Sequence, residues 1–215
     1  ISLDQNLIDQ QKATREMVKG LSHEIKNPLG GIMGAAQLLD KTLKEESQAK
    51  FTKIIRKESE RLLKLINAMS SPIPSSERNL LNIHEVTEHV IELFKYDADN
   101  RDVVFAKDYD PSIPQLYIDR NQIIQALINV IRNAIQAINK DGKVSIKTRP
   151  ILKYTIGDIK HDLVIKIDVI DNGIGIPKNK LKEIFYPMVT TKNEGMGLGL
   201  TIAQSIIMQN NGIIE

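Results

Sequence analysis

Between positions 17 and 43, apolar residues recur in steps of three and four, at Val18, Leu21, Ile25, Leu29, Ile32, Ala36, Leu39 and Leu43. That spacing predicts a helix with one apolar stripe, close to the heptad period. After the polar break Lys44-Glu45-Glu46-Ser47 the spacing resumes at Phe51, Ile55, Leu62, Leu65 and Met69, so a second helix folds back as an antiparallel hairpin. A lone hairpin leaves its stripe in water, and pairing with a second copy in a four-helix bundle is the economical remedy. Homodimerisation is therefore expected. Ser71-Pro72-Ile73-Pro74-Ser75-Ser76 halts the helix and reads as a linker.

Beyond the linker the pattern becomes mixed. Residues 84–94 predict a helix, 103–108 a short strand, and 119–139 a strongly amphipathic helix stopped by Asp141-Gly142. Two β-rich stretches, 143–149 and 163–170, are joined through the Gly157-Asp158 turn. A glycine-rich segment then leads into a last helix at 198–209. Without a regular strand-helix repeat, an α+β sandwich is expected rather than a doubly wound parallel sheet. The division expected is a helical domain at 1–71, a linker at 72–78 and a mixed domain at 79–215.

Composition removes several classes. Lys plus Arg number 29 and Asp plus Glu 27, a net charge of +2, which gives no electrostatic drive toward nucleic acid. Four Phe, five Tyr and no Trp are too few for a base-stacking platform. The absence of Cys excludes a disulfide framework, a thiolate metal site and a cysteine nucleophile, and suits a reducing cytoplasm. No apolar run approaches the ~20 residues of a membrane span, and Ile1-Ser2-Leu3-Asp4 does not open a signal peptide. The missing initiator Met and the ending on Gly212-Ile213-Ile214-Glu215 read as a piece cut from something longer.

Four segments carry chemistry. His23-Glu24-Ile25-Lys26-Asn27-Pro28 lies on the first helix. A neutral imidazole is a competent nucleophile near pH 7, and the adjacent Glu24 can accept a hydrogen bond from one ring nitrogen and sharpen the other. Asn27, one turn on, reaches anything attached to His23. Pro28 leaves the Glu24 carbonyl without its usual partner, so a kink or loosening is expected. The bland alternative is a surface histidine. Zinc is disfavoured, since no second His follows at ligand spacing and His84, His89 and His161 show none.

In the second segment, Asn129 and Asn133 stand one turn apart on the amphipathic helix, off the apolar face of Ile124, Leu127, Ile128, Ile131, Ile135 and Ile138. Asn costs helix propensity, and an amide oxygen can ligate a Mg²⁺ already held by phosphates; two solvent-facing amides are the alternative. In the third, a buried-looking strand runs into Asp171-Asn172-Gly173-Ile174-Gly175. Gly173 and Gly175 let the backbone approach a flat ligand, and the Asp171 carboxylate can accept from an exocyclic amine such as that of adenine. In the fourth, Gly195, Gly197 and Gly199 alternate at the start of the last helix, presenting bare N–H groups and a positive dipole end to phosphate, and Lys192 adds a mobile charge. Residues 186–196 are expected to form a mobile lid.

In this order the four segments resemble the two-component sensor histidine kinases: a phosphoacceptor box at His23, an Asn box at 129–133, and Gly boxes at 171–175 and 195–199, with Phe185 matching the Phe box between. The segments 23–32 and 185–189 are most similar to the nitrogen-regulation (NtrB-type) kinases. The resemblance implies a dimerisation and phosphotransfer domain followed by a Bergerat-type α/β sandwich lacking its last strand or strands. It implies ATP and Mg²⁺ as cofactors, Asn133 as the metal ligand, and His23, Glu24 and Asn27 as the catalytic set. The partners it implies are a response-regulator receiver domain that takes the phosphate on an aspartate and a regulatory signalling protein. Two rivals are a gyrase-type ATPase, which needs a Glu where this chain has Asn129, and a catalytically idle dimeric scaffold.

Overall fold

The computed structural model describes residues 3–42, 46–70, 78–181, 183–186, 189–190 and 197–215. The chain divides into two compact units, Lys12–Ile73 on one hand and Pro74–Glu215 with Ile1–Gln11 on the other.

The first unit is built from two long helices, α1 (Leu3–Thr42) from Lys12 onward and α2 (Glu46–Ser70). Helix α1 begins well before the apolar stripe, because no Gly or Pro interrupts residues 3–19. Pro28 lies inside it without ending it. Ser22, Leu29 and Ala36 are buried seven residues apart, as are Thr52 and Ser59 on α2, which is the signature of a heptad seam. The Thr52 hydroxyl donates to Asp40 Oδ1 at 2.6 Å, and the Arg56 guanidinium stands 3.8 Å from the same carboxylate. The single stripe read from the sequence is thus split. Leu29 and Ala36 turn inward, whereas Ile25, Ile32, Leu39, Phe51, Ile55 and Leu62 stay open, Ile32 at 48% and Phe51 at 66% exposure.

The second unit is a two-layer sandwich. One layer is a sheet of β2 (Val103–Tyr109), β4 (Gly142–Ile156) and β5 (Ile159–Asp171), with β2 parallel and β5 antiparallel to the central β4. The other is formed by α3 (Ile83–Asp99), α4 (Arg120–Ala137) and α5 (Gly199–Gln209). Every second residue of β4 from Gly142 to Thr148 is buried, as the two-residue strand period requires. Val144 and Ile146 thereby join Val86, Val90, Ile131, Ala203 and Ile206 in the core. The short strands β1 (Asn79–Leu81) and β3 (Leu116–Ile118) pair with each other. At three residues apiece they fall below the length at which alternation registers.

Helix α4 owes its start to Asp119, a buried N-cap whose Oδ1 accepts from the Asn121 and Gln122 N–H groups at 2.9 and 3.2 Å. It ends at Ala137 rather than at Asp141-Gly142, because Ile138 leaves the helix in an extended conformation and is itself buried. His84, on α3, is tied to the sheet: its ring stacks on Tyr109 at 4.7 Å and Nε2 lies 2.9 Å from the Thr148 hydroxyl. Burial and the nearby Glu88 carboxylate push the Tyr109 phenol above the usual tyrosine range. Of the linker expected at 72–78, all but Arg78 lies outside the described residues.

Candidate functional site

Within the α/β unit, three of the four segments converge on the C-terminal half of α4. Asn129 is 7% exposed, and its Nδ2 finds no hydrogen-bond partner among the described residues. It faces the first residue of α5, where a Cβ on Gly199 would stand 3.8 Å from the Asn129 side chain. Asn133, one turn further, is half-buried. The expectation of a polar face turned away from the core is corrected for Asn129, since α5 packs over that face and draws the amide inside.

The end of β5 is seated on the end of α4. A Cβ on Gly173 would fall 2.4 Å from the Ala137 carbonyl oxygen, so only glycine fits. The N–H of Ile174 donates to that oxygen at 3.0 Å. Asp171 is exposed, and its Oδ1 accepts from the Gly173 N–H at 2.9 Å. Gly175 turns with φ +70°, a conformation that disfavours any side chain. Ile176, three residues beyond Gly173, is exposed beside this turn.

The start of α5 is equally shaped by glycine. Gly197 has φ +64°, and the cap residue Leu198 offers no side-chain bond to the first turn, which leaves helix-terminal N–H groups for a ligand. The Thr201 hydroxyl donates to the Phe185 carbonyl at 3.0 Å, fastening the Phe185 segment to α5. Lys192 and Gly195 lie outside the described residues, as does most of the expected lid.

His23, Glu24 and Asn27 lie on α1, in the other unit. Glu24 and Asn27 are exposed, and the His23 side chain lies outside the described residues.

An unpartnered buried amide is costly and rare in a finished core, and this one faces a helix terminus that lacks a side-chain cap. The donor set suits a phosphate-bearing ligand and a hard cation carried with it: amide oxygens, N–H groups at a helix start and a carboxylate with one oxygen uncommitted among the described residues. Sequence reasoning missed Asn172, whose side chain makes two bonds described below. The signal was present, an Asn next to the strand-ending Asp, where short amide side chains habitually bond backbone.

Residues 13–71 match the family described as the His Kinase A (phospho-acceptor) domain. Residues 118–215 match the histidine kinase-, DNA gyrase B- and HSP90-like ATPases. The chain is 42% identical to the sensory histidine kinase/phosphatase NtrB of Klebsiella oxytoca over 96% of its own length and 59% of that protein. It is 39% identical to the NtrB of Vibrio alginolyticus over 100% of its own length and 62% of that protein. It thus spans about three-fifths of these relatives. Among solved structures, it is similar to full-length ShkA in complex with AMPPNP, with TM-score 0.57 and 26% identity over 90% of this chain and 40% of that one. It is also similar to histidine kinase ThkA in complex with the response regulator protein TrrA, with TM-score 0.54 and 28% identity over 92% of this chain and 55% of that one.

Proposed function

This chain belongs to the sensor histidine kinases, a phospho-acceptor domain followed by an ATPase-type domain, and from that premise we propose that it is an ATP-dependent protein-histidine kinase of the NtrB type. It moves the γ-phosphoryl group of ATP to His23, passes it to an aspartate of a response-regulator receiver domain, and also removes it from that aspartate, in nitrogen regulation. The observation that carries the reading is the orphaned amide of Asn129 set against the glycine that opens α5.

The residues divide the work by chemistry. The N–H groups of the Gly197–Gly199 segment hold phosphate oxygens, with Lys192 and Gly195, just before it in the sequence, as further phosphate-binding residues. Asp171, backed by Gly173 and Gly175, takes the exocyclic amine of adenine on its uncommitted oxygen. Asn133, with Asn129 beside it, holds Mg²⁺, which when bound neutralises phosphate charge. Glu24 takes the proton from one ring nitrogen of His23 while the other attacks. A nitrogen–phosphorus bond forms, the bond from the γ-phosphorus to the bridging oxygen breaks, and ADP leaves. With Asn129 where a gyrase-type enzyme has its base, water is left without an activator and His23 is the better acceptor.

The open stripe of Ile25, Ile32, Leu39, Phe51, Ile55 and Leu62 fits a second copy of the hairpin. Each such side chain contributes about 1.5–3 kcal/mol when fully buried. The receiver domain and a regulatory signalling protein are the further partners, ThkA having been crystallised with its response regulator. Among the described residues no helix is long and apolar enough to cross a membrane, and we place the protein in the cytoplasm.

Incubation with γ-labelled ATP tests the proposal: label should appear in an acid-labile, base-stable linkage on the protein. Release of labelled phosphate with none retained would favour the gyrase-type rival, and no turnover at all the idle scaffold.

Two narrower outcomes follow. ATP should outcompete GTP by about tenfold or more, because guanine sets a carbonyl against the Asp171 carboxylate and leaves it unpaired, at about 1–3 kcal/mol. Equal competition by the two nucleotides would remove Asp171 from the base site. Asn27 should matter for removing phosphate, since its amide can hold a water in line with the aspartyl phosphate, which needs positioning more than a strong base. Asn27→Ala should therefore keep labelling and lose phosphatase activity, with Glu24→Ala doing the reverse. Parallel loss of both activities in both variants would reduce the pair to a structural role.

A further inference from the structure

The turn that carries Asp171 is held at two places, and only one of them is the glycine seat on α4. The other is the side chain of Asn172. Its Oδ1 accepts from the Lys143 N–H at 2.8 Å, and its Nδ2 donates to the Asp141 carbonyl at 3.1 Å. Its own N–H donates to the Lys143 carbonyl at 3.3 Å, extending the β4–β5 ladder one step past the Val144–Asp171 pair. Both ends of the amide are therefore spent, one on the connection from α4 to β4 and the other on the start of β4. That connection is itself constrained. Asp141 has φ +47°, and the next N–H, that of Gly142, donates to the Asp102 carbonyl at 2.9 Å.

The consequence concerns one carboxylate. Gly173 and Ile174 fasten the turn to the end of α4, the helix that carries Asn129 and Asn133. Asn172 fastens it to the start of β4 from the other side. Between the two anchors, Asp171 has Oδ1 committed to the Gly173 N–H and Oδ2 without a partner among the described residues. We infer that Asn172 is a positioning residue of the nucleotide site, setting where Oδ2 of Asp171 stands relative to the Asn129–Asn133 face of α4 and thereby sharpening the choice of adenine. The inference rests on the nucleotide reading above and deepens it. Alanine removes both side-chain bonds. Aspartate keeps the acceptor for Lys143 but turns a carboxylate oxygen toward the Asp141 carbonyl, so it restores half of the clamp.

The test compares ATP and GTP affinity in the full-length protein for wild type, Asn172→Ala and Asn172→Asp, with thermal melting on the same samples. A group that acts only through its neighbour typically costs about tenfold when removed. ATP affinity should fall by about that factor in Asn172→Ala while GTP affinity, which never used Oδ2, stays within about twofold, so the preference collapses. Asn172→Asp should fall between. Equal loss of ATP and GTP affinity, or an unchanged preference, would overturn the inference by making the clamp merely structural. If Asn172→Ala does not fold, the same two criteria apply to Asn172→Asp. A wild-type protein that binds no adenine nucleotide overturns the nucleotide reading and this inference with it, whereas wild-type binding with an unchanged preference in the variants overturns this inference alone.

Discussion

Replacing His23 by Gln is expected to reduce labelling from γ-labelled ATP to background, with nucleotide affinity unchanged. The size of the effect follows from the chemistry. Glutamine keeps a hydrogen-bonding amide but has no lone pair at nitrogen able to attack phosphorus, so the reaction loses its acceptor rather than a stabilising contact. Nucleotide affinity is expected to be spared because the groups proposed to hold the nucleotide sit on α4, β5 and α5 of one unit while His23 sits on α1 of the other. The remaining histidines do not substitute for it. His84 is held between Tyr109 and Thr148, His161 has a buried Nε2 without a partner among the described residues, and His89 has no acid-then-amide pattern like Glu24 and Asn27 behind it. Retained label in His23→Gln, mapped by proteolysis to another residue, would remove His23 from the mechanism.

Much of this arrangement is legible in the sequence, and the parts that are not have identifiable causes. The hairpin, α4, the β4–β5 pair and α5 follow from periodicity, because each carries its apolar pattern over enough residues to fix a period. The glycine positions are legible too, since turns with positive φ or close backbone approach leave few other residues available. Gly173 against Ala137 and Gly175 at φ +70° are the instances. What escapes is what depends on a third element. The stripe on α1 reads as one face, but in the folded hairpin Leu29 goes in and Ile32 stays out. Asn129 reads as a polar position beside the core until α5 covers it. The two bonds of Asn172 join residues about thirty positions apart in the chain, and no local pattern encodes such a pairing.

Asn129 supplies the clearest separation of stability from function. A buried amide whose donor is unsatisfied costs about 1–3 kcal/mol, whereas an apolar side chain of the same shape at such a place is neutral or stabilising. Ala126, one turn earlier on α4, is buried beside it in the helix, and Gly199 of α5 stands against its side chain. Asn129→Leu should therefore melt at the wild-type temperature or above it, by about 2–4 °C for each kcal/mol recovered. The same variant should lose autophosphorylation by about a hundredfold, the size of effect seen when one preorganised polar group is removed from a charged transition state. A residue that only completes the fold gives the opposite pair of results, a lower melting temperature with labelling preserved. Measuring both on one preparation discriminates between them, because an interior amide kept for a ligand gives the first pair of results and an amide kept for the fold gives the second.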